Sequence, residues 1–126
     1  AEVSYHAAYE PMRAVRTARW KYIRRYLERE VPVLADIDDS PSKSLLMNHG
    51  LAERRLDREE LYDLVYDPVE RCNRANDPAY ADTLGDMRRR LDKWMRDTDD
   101  PLLCGPIPMP PAAIVNDPSD TSPQDR

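Results

Sequence analysis

The segment that runs from Asp77 to Pro101 constrains the fold more than any other part of this sequence. Asp77-Pro78 is a typical helix start, because Asp is a favoured N-cap and Pro a favoured first helical residue. Apolar residues then recur at steps of four, three, four, three and one: Tyr80, Leu84, Met87, Leu91, Trp94 and Met95. This period predicts a helix over residues 78–97 with one apolar face, which needs an apolar surface to cover.

Two upstream segments have the character of strands and can supply that surface. Residues 12–26, "MRAVRTARWKYIRRY", mix β-branched and aromatic residues and predict a hairpin that turns at Thr17-Ala18-Arg19. A further strand is predicted over residues 61–66, where Tyr62, Leu64 and Tyr66 alternate with other side chains. We expect these three residues to pack on the apolar face of the helix. Gly85 is expected to mark a close approach between helix and sheet.

The remaining segments connect or follow these elements. A short helix is predicted over residues 41–49, because Ser40 suits the N-cap, Pro41 the first helical position and Gly50 the position beyond the end. Residues 101–126 hold seven of the twelve prolines and lack periodicity. They predict an extended tail that either drapes over a larger body or is partly disordered. Residues 1–100 are predicted to form one α+β subdomain, a small antiparallel sheet packed by one long helix.

Charge and composition argue against two classes of protein, general nucleic-acid binders and membrane-spanning proteins. The net charge of −5 argues against a general nucleic-acid binder, and no stretch approaches the roughly 18 apolar residues of a membrane span. The first residues show neither the basic start nor the apolar run of a signal peptide, and the sequence does not begin with Met. We therefore expect a soluble chain that is part of a longer protein.

The two cysteines, Cys72 and Cys104, are not expected to form a disulfide. They flank the predicted main helix, whose length on the order of 30 Å would hold them far apart. Neither has a second Cys or a His at the spacing of a zinc site, so two thiols are favoured.

Three stretches come close to known chemistry. Residues 104–108, "CGPIP", approach the C-x-P-x-R pattern in which cysteine becomes a formylglycine nucleophile, but Pro108 replaces the arginine. Residues 34–40, "LADIDDS", offer carboxylates for a hard cation but lack the Gly and distal Glu of a calcium loop, so a helix-capping turn is favoured. The third stretch groups polar residues that could contact an anionic substrate, although a lone histidine is more often structural: His6 with Tyr5, Tyr9 and Arg13.

The predicted hairpin is also strongly basic. Six cations could form a stripe that binds phosphate or sulfate: Arg13, Arg16, Arg19, Lys21, Arg24 and Arg25. On a two-sided strand such residues more often form a solvated face or salt bridges at a domain interface.

Two motifs occur in a specific order. "AVRTARWKYIRR" precedes "ELYDLVYDPVERCNRANDP" and a helix that contains L-x-x-W. Together, over roughly residues 10–101, they resemble the C-terminal subdomain of the sulfatase family, of the alkaline-phosphatase-like superfamily. There, R-T-x-R-[WY]-K-[YL] precedes E-L-Y-D-L-x-x-D-P-x-E-x-x-N-L-A-x-x-P. "YEPMR", "SPS" and "DDPLLC" are most similar to the heparan N-sulfatase (N-sulfoglucosamine sulfohydrolase, sulfamidase) branch and its bacterial relatives.

The resemblance implies a parent enzyme with an alkaline-phosphatase-like α/β core and a smaller four-stranded antiparallel subdomain beside the active-site cleft. On that basis we place strands near residues 14–17, 19–26 and 61–66, and a fourth within residues 28–34. Two residues depart from the family pattern. Arg74 replaces the usual Leu, which predicts a more exposed link into the helix, and no second Cys follows Cys104, which puts the corresponding disulfide in doubt.

The resemblance also implies a parent that hydrolyses sulfate esters or sulfamates of a sulfated sugar. A formylglycine hydrate would attack sulfur while calcium and basic residues neutralise charge. These groups are expected in an N-terminal catalytic domain, and none of the catalytic or metal-binding residues maps onto this chain. This chain would support that domain and shape the cleft, with His6, Tyr9 and Arg13 as candidate substrate contacts. The alternative is a free-standing module whose basic hairpin binds an anionic polymer or another partner.

Overall fold

A four-stranded sheet and one long helix dominate the computed structural model, which describes residues 1–125. The strands lie in the order β1-β2-β3-β4 and span Glu2–Tyr5, Tyr9–Arg16, Trp20–Arg25 and Glu59–Asp63. The α-helices are α1, Pro41–Asn48, and α2, Ala81–Asp97. Short 3-10 turns lie at Leu34–Asp36, Leu51–Glu53, Pro78–Tyr80 and Pro101–Leu103. The predicted α+β fold is confirmed.

The chain divides into two compact units. Unit 1 holds residues 1–2, 12–25 and 58–107, and unit 2 holds residues 3–11 and 26–57 with the segment from 108 onward. Unit 1 contains most of the sheet and all of α2, whereas unit 2 contains α1.

The predicted hairpin is confirmed, but its first strand spans Tyr9–Arg16 instead of the predicted residues 14–17. β2 and β3 pair antiparallel, with Val15 opposite Tyr22. The turn closes where the sequence predicts it, because the Thr17 N–H donates to the Trp20 carbonyl at 2.8 Å and the Trp20 N–H donates to the Thr17 hydroxyl at 2.9 Å. β3 then pairs antiparallel with β4, which places Leu61 opposite Tyr22.

The last strand, β4, ends earlier than predicted, and the face it buries is opposite to the predicted one. It spans Glu59–Asp63 instead of residues 61–66, and Leu61 is fully buried while Tyr66 is 81% exposed. The expectation that Tyr62, Leu64 and Tyr66 would form the packing face is therefore wrong. Residues directly opposite in an antiparallel pair share a face, so the buried Tyr22 brings Leu61 to the interior. The strand stops at Asp63 because the chain turns there.

The long helix agrees closely with its sequence pattern. The Asp77 carboxylate accepts the Ala79 N–H at 3.0 Å, and a 3-10 turn over Pro78–Tyr80 leads into α2. Four of the predicted apolar positions are buried: Leu84, Met87, Leu91 and Met95. Gly85 does not approach the sheet, because a Cβ at that position would meet only the Arg89 guanidinium, at 3.5 Å.

A network of polar side chains joins α2 to β3 and β4. The buried Tyr22 hydroxyl donates to Glu59 and accepts from Arg24 Nε at 2.9 Å. Arg88 of α2 also donates to Glu59, and Arg24 donates to Asp92 of α2 at 2.7 Å. Burial and the Glu59 contact raise the pKa of Tyr22 to about 12, and the Arg88 hydrogen bond lowers the pKa of Glu59. The helix is thus fixed to the sheet by charge as well as by apolar packing.

In unit 2 the predicted short helix is present, but the predicted fourth strand is not. The Ser40 hydroxyl accepts the Lys43 N–H at 3.1 Å, and Gly50 takes the left-handed conformation, φ 84°, beyond the helix end. Residues 28–34 include Pro32, which has no N–H for a ladder. Val33 there joins a small apolar cluster, and the fourth strand of the sheet is β1.

The proline-rich segment is partly fixed within unit 2. The Asn116 N–H donates to the Ala7 carbonyl at 2.9 Å, and Asn116 forms an isolated parallel bridge with Ala8. The Asn116 amide also donates to Asp120 at 3.0 Å.

Over residues 1–125, none of the helices combines the length and the apolar character needed to cross a bilayer.

Candidate functional site

The polar residues of the 59–78 motif hold the chain in shape. The Asp63 carboxylate accepts Arg19 Nε at 3.0 Å and the backbone N–H groups of Val65 and Tyr66 at 3.1 and 3.4 Å. The Arg19 hydrogen bond, followed by those backbone bonds, lowers the pKa of Asp63. Asp67 accepts the N–H groups of residues 71 and 72 in the same way, and these bonds lower its pKa. The motif's aspartates are therefore occupied by structural contacts.

Asn73 and Arg74 continue this arrangement into the link before α2. The Asn73 side chain accepts the Leu61 N–H at 2.9 Å and donates to the Glu59 carbonyl at 3.0 Å. Arg74 lies with its guanidinium 5.5 Å from the Tyr80 ring centre, and its side chain is 41% exposed. The Arg that departs from the family's Leu is thus half-exposed and lies over an aromatic ring.

Most cations of the basic hairpin pair with carboxylates inside unit 1. Arg19 pairs with Asp63 and also lies 4.8 Å from the Trp20 ring centre. The other pairs are Arg13 with Asp100, Lys21 with Glu70, Arg24 with Asp92 and Arg25 with Glu60. Within residues 1–125, Arg16 of this stripe is exposed and has no carboxylate partner. The stripe is consequently neutralised over most of its length.

Arg13, a predicted substrate contact, lies in the centre of β2 with only 1% of the residue exposed. Its guanidinium donates to both oxygens of Asp100, at 2.5 and 3.0 Å. Asp100 is also buried, and its carboxylate accepts the Leu102 N–H at 3.0 Å. The Arg13 hydrogen bond lowers the pKa of Asp100 despite burial. The structure gives Arg13 an internal partner, and its substrate contact stays a prediction.

His6 and Tyr9, the other two candidates, lie in unit 2. The Nδ1 atom of His6 lies 3.1 Å from the Asp36 carbonyl, and the side chain is 66% exposed. The Asp36 carboxylate accepts the N–H groups of Ala7 and Ala8, each at 2.8 Å, so it fixes the backbone that follows His6. The Tyr9 ring lies 4.9 Å from the Tyr5 ring, and burial followed by the Tyr9 charge raises the pKa of Tyr5.

Two anchors of these candidates were missed at the sequence level. Asp100 lies just beyond the predicted main helix, and Asp36 lies in the stretch that predicts a capping turn. Asp100-Pro101 has the same N-cap pattern as Asp77-Pro78, and this repetition was the available signal for a buried structural Asp. No local signal connects Asp36 with residues 7 and 8, because the contact joins segments 28 and 29 positions apart.

Unit 2 also contains a shallow cavity of about 310 Å³. It is lined by Asp39, Lys43, Ser44, Met47, Asn48, Thr121 and Ser122. Most of these polar groups already have partners; Asp39, for example, accepts Lys43 Nζ at 2.9 Å and Ser122 Oγ at 2.5 Å.

In the described part of the chain, no three His, Cys, Asp or Glu side chains are grouped to hold a metal ion. Both cysteines are exposed free thiols.

Curated proteins similar to this chain are sulfatases. Two ulvan-active sulfatases from Formosa agariphila are 30% and 33% identical to it over 104 and 101 residues, covering 72% and 79% of this chain. The N-sulphoglucosamine sulphohydrolase of Homo sapiens is 31% identical over 109 residues, covering 76% of this chain. The matches occupy 17%, 20% and 22% of the relatives, so the chain spans about a fifth of their length. No family model matches the chain.

Solved structures give the same result. A 2-O GAG sulfatase is similar with a TM-score of 0.52 and 27% identity, over 85% of this chain and 17% of that structure. A protein from Bacteroides thetaiotaomicron VPI-5482, described as a sulfatase candidate, has a TM-score of 0.56 over 97% of this chain and 21% of that structure; at 24% identity it supports the fold alone. The resemblance deduced from the motifs is confirmed at the level of the family. The three curated relatives have nearly equal identities, so the sulfamidase branch stays a prediction.

Proposed function

Because this chain is homologous to sulfatases over most of its length, we propose that it is the C-terminal subdomain of an enzyme that hydrolyses sulfate esters or sulfamates of a sulfated sugar. The similarity to sulfatases in both sequence and fold carries this proposal. The chain would support the catalytic domain and shape the substrate cleft, and the bond-breaking groups would lie in the remaining four-fifths of such an enzyme.

The side chains of this chain fit that division of roles. Asp63, Asp67 and Asn73 each bind backbone or side-chain groups of unit 1, which makes them structural. A formylglycine does not fit at Cys104, because Pro108 stands where the C-x-P-x-R pattern needs a cation beside the nucleophile. The carboxylates of residues 1–125 do not form a three-ligand group that would suit calcium. We therefore assign both groups to the catalytic domain.

His6 is the strongest of the three candidate substrate contacts. Its ring is mostly exposed, and the Asp36 carbonyl beside Nδ1 favours the tautomer that donates from that atom. The other ring nitrogen then remains available to a sulfated sugar. Tyr9 adds a phenol whose ring is tilted by 43° against that of Tyr5. Arg13 is the weakest candidate, because binding a substrate sulfate would compete with its buried bond to Asp100.

The competing function, an anion-binding module, loses its main support. A polymer-binding stripe requires cations that face solvent without carboxylate partners. Arg19, Lys21 and Arg25 instead form ion pairs at 2.7, 2.7 and 3.1 Å. An anionic polymer would have to displace these carboxylates before it could bind.

The test is sulfate release by the complete gene product that contains this chain. We expect release from N-sulfated or O-sulfated glucosamine, and none from the 126-residue chain alone. His6→Ala should raise KM more than it lowers kcat. His49→Ala is the matched control, since His49 is also exposed with Nδ1 close to a backbone carbonyl, at 2.7 Å. Release by the isolated chain would refute the proposal, as would no release by the complete product from these sugars and from ulvan, which the names of two relatives include.

A further inference from the structure

Helix α1 buries its cation and exposes its leucines, the reverse of an ordinary surface helix. Lys43 is 6% exposed, whereas Leu45 and Leu46 are 59% and 50% exposed. On a helix that covers a core, the apolar residues face inward and the charged residues outward. Adjacent exposed leucines therefore require a separate explanation, because large exposed apolar groups together often mark an interaction surface.

Hydrogen bonds hold α1 in this orientation. Lys43 Nζ donates to the Ile37 carbonyl at 2.7 Å and to the Asp39 carboxylate at 2.9 Å. The Ser40 hydroxyl caps the first turn through the Lys43 N–H at 3.1 Å. A rotation that buried the leucines would either expose Lys43 or leave its ammonium group without partners. The two leucines are consequently fixed on the outer side before any partner binds.

The surroundings of the leucines suit an apolar contact. From Ser44 to Asn48 the helix carries no formally charged residue, although 34% of the whole chain is Asp, Glu, Lys or Arg. Charged residues are depleted in the centres of protein interfaces because each one must lose its water. The part of α1 that carries the leucines would therefore bring no charge of its own into a docked surface.

We propose that Leu45 and Leu46 of α1 form a docking surface for an apolar, uncharged patch on the remaining part of the same sulfatase. The inference rests on the proposed function, which places most of the enzyme outside this chain. The curated relatives support that occupant, since the matched region is only 17–22% of their length and the rest must pack somewhere. A second copy of this chain is the competing occupant.

The experiment measures thiol accessibility in the complete gene product. In a background with Cys72→Ser and Cys104→Ser, single cysteines are introduced as Leu45→Cys and, as the exposed reference, Lys93→Cys on α2, whose side chain is 70% exposed. Maleimide labelling rates in the native protein are divided by those in denaturant. We expect the cysteine at position 45 to be protected at least about tenfold relative to that at position 93, because a docked side chain reacts only when the contact opens.

Equal labelling at the two positions would overturn the docking surface. Protection that disappears on dilution to monomer would also overturn it, since the occupant would then be a second copy. Protection that persists in the monomer supports the proposal. Sulfate release by the same preparations tests the proposed function separately: an active protein with a freely labelled position 45 refutes docking alone, and an inactive protein with a protected position 45 refutes the sulfatase assignment alone.

Discussion

Removal of the Asp100 carboxylate is the sharpest test of how unit 1 is held together. Asp100→Ala leaves the Arg13 guanidinium, 1% exposed, without the partner that accepts two of its N–H groups. Breaking a buried ion pair by removing one partner costs about 3–5 kcal/mol. Loss of the bond to the Leu102 N–H adds about 1 kcal/mol, as for other N-caps. We therefore expect the free energy of unfolding to fall by about 4–6 kcal/mol, which is a large share of a typical domain's stability.

Urea unfolding of the 126-residue chain, followed by tryptophan fluorescence and circular dichroism, measures this change. Asp100→Asn is the first control, because the amide oxygen can still cap the turn while the charge is lost. The double variant Arg13→Met with Asp100→Leu is the second control, because an apolar pair of similar volume can replace a buried ion pair at little cost. A loss below about 1 kcal/mol for Asp100→Ala would refute the reasoning, since that is the range of an exposed pair.

The same ion pair predicts the direction of a pH effect. The pKa of Asp100 is lowered in the folded state by Arg13, so the contribution is fully present above the unfolded value of about 3.9. It is lost as the pH falls through the folded pKa, because the unfolded state binds the proton more readily. The stability difference between the wild type and Asp100→Asn should therefore shrink in acid. A difference that stays constant below the unfolded pKa would contradict this account.

Three further predictions follow from unit 1. Leu61→Ala should lower the free energy of unfolding by about 2–5 kcal/mol in urea, because Leu61 is fully buried. Tyr66→Ala, at an 81% exposed position, should lower it by less than about 0.5 kcal/mol. The opposite order would show that the face with Tyr66 is the buried one, as the sequence predicts. Tyr22 and Tyr62, each with a pKa raised to about 12 by burial, should ionise last in an absorbance titration, and stability should fall as the pH rises from about 10 to 12; titration of all seven tyrosines near the ordinary value would contradict this. Asp63→Ala should cost more than Asp63→Asn, by about 1 kcal/mol in urea unfolding, because only Asn keeps an acceptor for the turn's N–H groups; equal costs would show that this acceptor contributes nothing.

The helices and the hairpin can be predicted from local sequence patterns, because neighbouring residues stabilise them. The stop and start signals of α1 and α2 lie within a few residues of each helix, and the hairpin turn is closed by Thr17 and Trp20 themselves. The four buried side chains of α2 follow from a period that can be counted along the sequence. The two motifs that indicate the family are also local signals, because each is a short stretch that can be recognised in the sequence.

The candidate site was predicted less completely. His6 and Tyr9 lie in unit 2 beside structural partners, Asp36 and Tyr5, of which only Tyr5 is a close neighbour in sequence. Arg13 resembles the other hairpin cations in sequence but is buried. Nothing near Arg13 distinguishes it, because its partner Asp100 lies 87 residues away.

The helices, the hairpin, the α+β class and the resemblance to sulfatases could be predicted from the sequence, since each depends on residues close together in the chain. Tertiary contacts were needed to show which face of β4 is buried, which segment supplies the fourth strand and which cations are neutralised. In each of these cases the outcome depends on which distant segments meet. Strand alternation leaves two faces equally possible until a neighbouring strand is paired, and an ion pair is defined only when distant segments meet. In this chain, the pairing of Tyr22 with Leu61 decides the buried face of β4, and the position of β1 beside β2 supplies the fourth strand. The bond between Arg13 and Asp100 neutralises one of the hairpin cations.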